Sequence, residues 1–205
     1  RYRCRYLVGA AGTSCPVYRL LFRECNPRAH ELQVATLEQE FAYEYRDDAC
    51  HLWFFGHGLP GYSWYVPKEN GYLNVGVGGM SVQLRSARKD IHDHWDAFTE
   101  DLARGGLVKE YAFKSKGHSY YLRDAVQTAR IGNAFVVGDA AGLASRDLCE
   151  GIGPAVRSAL VAADTIATGQ ESTLESVSAF SLDNRFLRKS LEYMFVTRGR
   201  ALAGR

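Results

Sequence analysis

The residues best placed to do chemistry lie in one stretch, Phe135 to Val156, which reads FVVGDAAGLASRDLCEGIGPAV. An apolar β-branched run ends in Gly138, and Asp139, Ala140, Ala141 and Gly142 follow at once. A carboxylate at the carboxyl end of a sheet strand stands where open α/β sheets bind ligands, and it can accept hydrogen bonds from sugar-like hydroxyls. Small residues around it let a ligand lie against the main chain. Farther along, Glu150-Gly151-Ile152-Gly153 opens an Ala-rich helical pattern. The amides of Gly151, Ile152 and Gly153 are then the unpaired donors of a helix start, which carries partial positive charge. A tight strand-to-helix connection capped by Asp139 accounts for the same residues without a ligand.

Other candidates are weaker. Cys149, beside Glu150 at the helix start, reads either as a low-pKa thiol or as a small residue filling a tight loop. His92 and His94 are two apart on a helical pattern and so fall on different faces, which argues against a metal pair. His51, His57 and His118 have no partner legible in sequence. A literal Gly-x-Gly-x-x-Gly occurs at Gly56 to Gly61, but YSWYVP follows it, a strand and not the helix that a dinucleotide fingerprint opens. It reads as a turn between strands. GVGG at 76–79 and GIGP at 151–154 lack the third glycine. No residue set points to a metal site, a nucleophile elbow or a catalytic acid or base.

The segment VVGDAAGLASRDLCEGIGPAVRSALVAADTI resembles the second flavin-binding motif of FAD-dependent oxidoreductases of the p-hydroxybenzoate hydroxylase type, most closely the geranylgeranyl reductase-like branch. YLVGAAGTSCPVYRLLF at 6–22 is similar to that group's earlier motif, and GYSWYVPKENGYLNVGVGG at 61–79 resembles its substrate-domain hairpin. The resemblance implies FAD as cofactor, with Asp139 on the ribitol and the backbone of Gly151, Ile152 and Gly153 beside the pyrimidine edge of the isoalloxazine, where a helix N-terminus favours the negative charge of a reduced flavin. Gly9, Ala10 and Gly12 match the earlier motif, near the cofactor's phosphates. The sequence departs from the family at Ala11, where the motif has Asp, at Asp147, about where relatives often carry Pro, and at Cys149, where they carry Gly. A β-α-β unit with a phosphate loop is absent from these residues. The expectation is the C-terminal portion of a longer oxidoreductase, reduced by NAD(P)H and partnered by an N-terminal flavin-binding segment or an electron donor. Its substrate would be apolar and isoprenoid-like. Trp53, Phe55, Tyr62, Trp64, Tyr65 and Tyr121 are the candidate lining of its pocket, although most strand aromatics are core. The alternatives are a flavin monooxygenase or halogenase-like enzyme, which the Trp64 segment also resembles, and a non-catalytic remnant that holds an apolar ligand or partner.

The elements that position these groups follow from periodicity. Residues 5–22 read as strand, turn and short helix, with Val17, Leu20 and Leu21 on one side. Phe41, Tyr43 and Tyr45 alternate with polar residues, and so do Leu73, Val75 and Val77, as half-buried antiparallel strands do. Ile91, Trp95, Phe98 and Leu102 have helical spacing. A strand at 133–137 leads to a helix at 151–168 whose apolar face is Ile152, Ala155, Val156, Ala159, Leu160 and Ala163. The tail at 176–200 reads as further helix with Leu187, Leu191 and Met194 in register. The fold class is therefore α/β, α+β overall. A partial FAD-binding Rossmann-like domain at 1–28 and 124–170 is interrupted by an antiparallel sheet domain at 29–123 and followed by helices at 171–205.

The 205 residues carry 25 Lys and Arg against 23 Asp and Glu, a net charge of +2 that gives no general pull toward nucleic acid or anionic lipid. Five cysteines at irregular spacing fit neither a disulfide framework nor metal ligation, which makes a reducing cytoplasm the expectation. No apolar run is long enough to span a membrane, and peripheral contact stays open.

Overall fold

The computed structural model describes residues 3–126, 128–170 and 173–203. In chain order it contains β1 (Leu7–Gly9), β2 (Gln33–Ala42), β3 (His51–Phe54), β4 (Gly61–Lys68), β5 (Tyr72–Met80), α1 (Ser81–Ala87), α2 (Ile91–Arg104), β6 (Lys116–Tyr121), β7 (Arg130–Ile131), β8 (Ala134–Val136), α3 (Ile152–Thr168), α4 (Arg185–Glu192) and α5 (Arg198–Ala203). These fall into two compact units, Arg1–Gln33 with Tyr120–Arg205, and Val34–Ser119. The mixed α/β class expected from sequence is what the chain adopts, and the C-terminal helices belong to the first unit.

In the first unit β1 pairs in parallel with β8, and β7 pairs antiparallel on the other side of β8. Strand alternation sends Ala134 and Val136 to one face, where they pack with Cys15, Tyr18 and Phe22, and Phe135 and Val137 to the other, against Ala162 of α3. Two expected helix faces are corrected here. After β1 the buried side chains are Tyr18 and Phe22 on a single π-turn, whereas Leu20 and Leu21 are exposed. Along α3 the buried positions are Pro154, Ser158, Ala162 and Thr165, whereas Ile152, Val156 and Leu160 face outward at 79%, 56% and 52% exposure. The small face packs because it lets the helix come close to the strand end, as described below. The apolar stripe is left uncovered within the unit.

The second unit is a five-stranded sheet in the order β3-β4-β5-β2-β6. The β4–β5 turn is made at Asn70 and Gly71, both with positive φ, and the Gly56–Gly61 segment is a turn between β3 and β4, as its sequence context required. One face of the sheet, with Leu37, Phe41, Tyr65, Leu73, Val75 and Val77, packs on Trp95, Phe98 and Leu102 of α2. The Asp90 side chain accepts from the N3 backbone and Asp93 reciprocates, a capping box that sets where α2 begins. Among the described residues no helix is long and apolar enough to cross a membrane.

Candidate functional site

The parallel pairing of β1 with β8 carries the chain into the Gly138 turn, where Val137 donates to the Gly9 carbonyl at 3.1 Å. The Gly138 amide donates to Ser158 Oγ at 2.9 Å, which ties the strand end to the middle of α3. Gly138 has φ +54°, and a Cβ there would stand 2.9 Å from the Ala155 Cβ. Only glycine fits both the conformation and the approach. The helix can therefore close over the strand end, and the turn Gly138–Ala140 presents Asp139 toward the first turn of α3.

Oδ1 of Asp139 is buried and has no hydrogen-bond partner among the described residues. It lies 3.1 Å from where a Cβ on Gly151 would be, so the missing side chain at Gly151 keeps open the space in front of it. Burial pushes the Asp139 carboxyl above its ordinary value; Arg28 pulls it down and Glu150 pushes it up, and burial wins. An unsatisfied buried acceptor is costly in a folded protein and marks a place where a donor is expected.

Arg28 completes this end of the site and was not legible in sequence. Its guanidinium donates to the carbonyls of Thr13, Asp139 (3.2 Å) and Ala140 (3.0 Å). It lies 3.7 Å from the Tyr18 ring centroid and 5.2 Å from that of Tyr121. One cation thus holds the 12–14 turn and the 138–140 turn together, and burial lowers its pKa. Of the residues in the earlier motif, Gly9 is packed against Val17 and Cys15, while Ala10 is exposed and Gly12, at φ +63°, faces open space. Ala140 and Ala141 are buried behind Asp139, and Gly142 turns the chain at φ +68°.

At the start of α3 the three expected donors are not equivalent. The Gly153 amide donates to Glu150 Oε1 at 2.8 Å, so the chain's own carboxylate caps it. The amides of Gly151 and Ile152 have no hydrogen-bond partner among the described residues. Cys149 is buried at φ +56°, and burial pushes its thiol up, which removes the low-pKa reading and leaves loop filling. The Tyr120 hydroxyl donates to the Cys149 carbonyl at 2.8 Å.

The aromatic candidates divide by strand alternation. Trp53 and Tyr65 point to the α2 face: Trp53 lies 5.6 Å from Phe98, and Tyr65 is fully buried in that core. Tyr62 and Trp64 point to the opposite face, opposite Phe54 and Leu52 in register. Trp64 lies over glycines of β5, since a Cβ on Gly76 would meet its ring at 2.1 Å. Its indole N–H donates to Asn74 Oδ1 at 2.6 Å. Phe55 sits in the β3–β4 turn at φ 60°, and Tyr121 lies by Arg28. His51, His57 and His118 face Asp47, Asp101 and Glu38 at 2.8, 2.6 and 3.6 Å on open surface. No group of three His, Cys, Asp or Glu residues that could hold a metal occurs among the described residues.

No family model matches the chain. It is 29% identical over 176 residues to a menaquinone reductase of Mycobacterium tuberculosis, a match that covers 80% of this chain and 41% of that protein. Among solved structures, a geranylgeranyl bacteriochlorophyll reductase-like protein of Thermoplasma acidophilum superposes with TM-score 0.65 at 18% identity, covering 98% of this chain and 50% of the other. A probable FAD-dependent monooxygenase of Pseudomonas aeruginosa gives 0.55 at 17% identity, covering 98% and 56%. The chain spans less than half the length of the curated relatives it matches.

Proposed function

We propose that this chain, which has the fold of the FAD-dependent oxidoreductases, binds the flavin end of FAD within its first unit and serves reduction of an apolar, isoprenoid-like substrate. The observation that carries the reading is the orphaned Oδ1 of Asp139 facing the α3 start. Asp139 would accept from hydroxyls of the ribitol, and the amides of Gly151 and Ile152 would donate to the pyrimidine edge. The residues fit that group: a buried acceptor lacks a donor, two amides lack acceptors, and the absent side chain at Gly151 leaves the room between them. Bound FAD would supply the hydride chemistry.

The chain's own residues then have distinct tasks. Arg28 fixes the carbonyls of Asp139 and Ala140 and holds the acceptor in place. The partial positive charge at the start of α3 favours an electron-rich edge there. On the second unit, the face that carries Leu52, Phe54, Tyr62 and Trp64 above Gly76 and Gly78 offers aromatic area for an apolar substrate. The names of the menaquinone reductase and of the geranylgeranyl bacteriochlorophyll reductase-like protein support a substrate of that class. NAD(P)H is the proposed reductant.

A partner completes the first unit. β1 is an edge strand whose Leu7 and Val8 are exposed, and α3 shows its Ile152, Val156 and Leu160 stripe. Parallel sheets are normally covered on both faces, so we assign this surface to a strand-and-helix segment of the intact protein. The test is to titrate the purified chain with FAD, alone and with such a segment, and follow the flavin absorbance bands and fluorescence. Binding that is lost in Asp139→Asn is the expected result. If neither preparation binds FAD, the cofactor reading falls and a non-catalytic binding module takes its place.

A further inference from the structure

We propose that Asp147 is a positioning residue, through which the C-terminal segment at 179–182 sets the conformation of the loop that leads into α3, so that the two are energetically coupled. The claim rests on the reading that the start of α3 faces the cofactor, and it concerns a residue with no place in that site.

Asp147 is completely buried, and it makes no ion pair among the described residues. A buried carboxylate without a cation must be satisfied by hydrogen bonds, because removing its water is costly. Its partners among the described residues are all main chain. Leu148 donates to Oδ1 at 2.9 Å, Ser181 donates to Oδ1 and Oδ2 at 3.0 and 3.1 Å, and Leu182 donates to Oδ2 at 2.8 Å. Only the first is local. The bonds to Ser181 and Leu182 reach a segment 34 and 35 positions away, so the side chain serves the joint more than the loop.

The loop it sits in is closed on itself. Ser145 donates to the Glu150 carbonyl at 2.7 Å, and the Glu150 amide donates to Ser145 Oγ at 3.1 Å. The same Ser145 Oγ accepts from Ser181 Oγ at 2.8 Å, and the Arg146 amide donates to the Ala179 carbonyl at 2.9 Å. Arg146 also pairs with Glu192 of α4 at 2.9 Å. Glu150 is therefore both the closing residue of this loop and the cap on the Gly153 amide. A shift of the 179–182 segment moves Glu150, and with it the first turn of α3. By linkage the effect must run both ways: whatever orders the α3 start must also protect the amides of Ser181 and Leu182.

The test uses the full chain and two variants. In Asp147→Asn an amide group of similar shape meets the donors of Ser181 and Leu182, and in Ser181→Ala only the hydroxyl bridge is lost. Amide hydrogen exchange is measured at Glu150 and Gly153, the held amides at the α3 start, and at 181–182, and FAD affinity by fluorescence titration. Asp147→Asn is expected to speed exchange at both sites, leave the 34–119 unit unchanged, and weaken FAD binding about tenfold or more, with Ser181→Ala a smaller effect of the same sign. FAD added to the wild-type chain is expected to slow exchange at 181–182. Faster exchange confined to 181–182 in Asp147→Asn, with FAD affinity intact, overturns the proposal. Should Asp147→Asn fail to fold, unchanged exchange at Glu150 and Gly153 in Ser181→Ala overturns it. Faster exchange at both sites in a chain that binds no FAD supports the coupling and removes the cofactor reading.

Discussion

Oδ1 of Asp139 lies 3.1 Å from the position a Cβ on Gly151 would occupy, so the carboxylate and the bare start of α3 share one small space. Gly151 has φ −112° and ψ −16°, a conformation any residue adopts. Gly151→Ala should therefore leave the backbone unstrained and change stability by less than about 1 kcal/mol, while its methyl group crowds the carboxylate. A fall in FAD affinity with an unchanged melting temperature is the expected pair of results. Unchanged affinity would mean that the space between the two residues is not where the ligand lies.

Asp139 also has a signature in the ligand-free chain. Its folded carboxyl titrates above the ordinary 3.8, so between 3.8 and the raised value the native state holds a proton that the unfolded chain has released. Native stability falls as pH rises through that window, and the ionised group burdens the fold at neutral pH. Asp139→Asn should raise the melting temperature of the ligand-free protein at pH 7, with the advantage shrinking as pH falls from the raised value toward 3.8, and should abolish stabilisation by FAD. A variant less stable than wild type at pH 7 would show that Arg28 outweighs the burial of the charge.

Arg28 joins the turns at 12–14 and 138–140 through three carbonyls. Arg28→Met would preserve much of the packing on Tyr18 and leave those carbonyls without their donor, at a cost of about 2–4 kcal/mol. Arg28→Lys supplies one point charge in place of a planar fork and should recover only part of this. Denaturant unfolding of the two variants measures both values; equal stability of Arg28→Met and wild type would show that water replaces the guanidinium freely.

How much of this was legible in the sequence varies with the reach of the interactions. Asp139, Gly138 and the start of α3 are contiguous, and their order alone describes a strand, a turn and a helix. Arg28 is invisible because its partners are main-chain carbonyls up to 112 positions away; no residue type announces such a bond. The face of α3 was misread for a different reason. Apolar spacing identifies Ile152, Val156 and Leu160 as a stripe, but close approach selects the small side, where the Gly138 amide reaches Ser158. The aromatics show a third limit. Period two separates Trp64 from Tyr65 at once, yet the choice of which one meets α2 required the register Tyr65 to Val75 and Trp64 to Gly76.

His94 is buried on α2, and its Nε2 has no hydrogen-bond partner among the described residues. Burial, then Lys89, holds its pKa below the ordinary 6.5. The unfolded chain therefore takes up a proton near pH 6.5 while the folded ring stays neutral to a lower pH. The contribution of the neutral ring is fully present above pH 6.5 and is lost as pH falls toward the depressed folded value. The second unit should lose stability as pH falls below 6.5, and His94→Leu should flatten that slope in melting curves taken across the acid range. An unchanged slope would assign the acid lability to other groups.

Cys149 occupies a left-handed position, φ +56°, at a point where the related flavin motif has glycine. The thiol is buried and raised by that burial, so its chemistry is not in use and its cost is conformational. Cys149→Gly relieves a strain of about 1 kcal/mol and gives up the burial of one small side chain, about the same amount, so stability should stay within about 1 kcal/mol of wild type. Cys149→Val adds β-branching at the same φ and should cost about 1–3 kcal/mol. Because the Cys149 carbonyl is held by Tyr120 and the next residues are Glu150 and Gly151, the valine variant should also weaken FAD binding, whereas the glycine variant should keep it. Urea unfolding together with an FAD titration separates the two. A glycine variant that loses FAD while remaining folded would show that the side chain itself, and not the backbone it tolerates, shapes the start of α3.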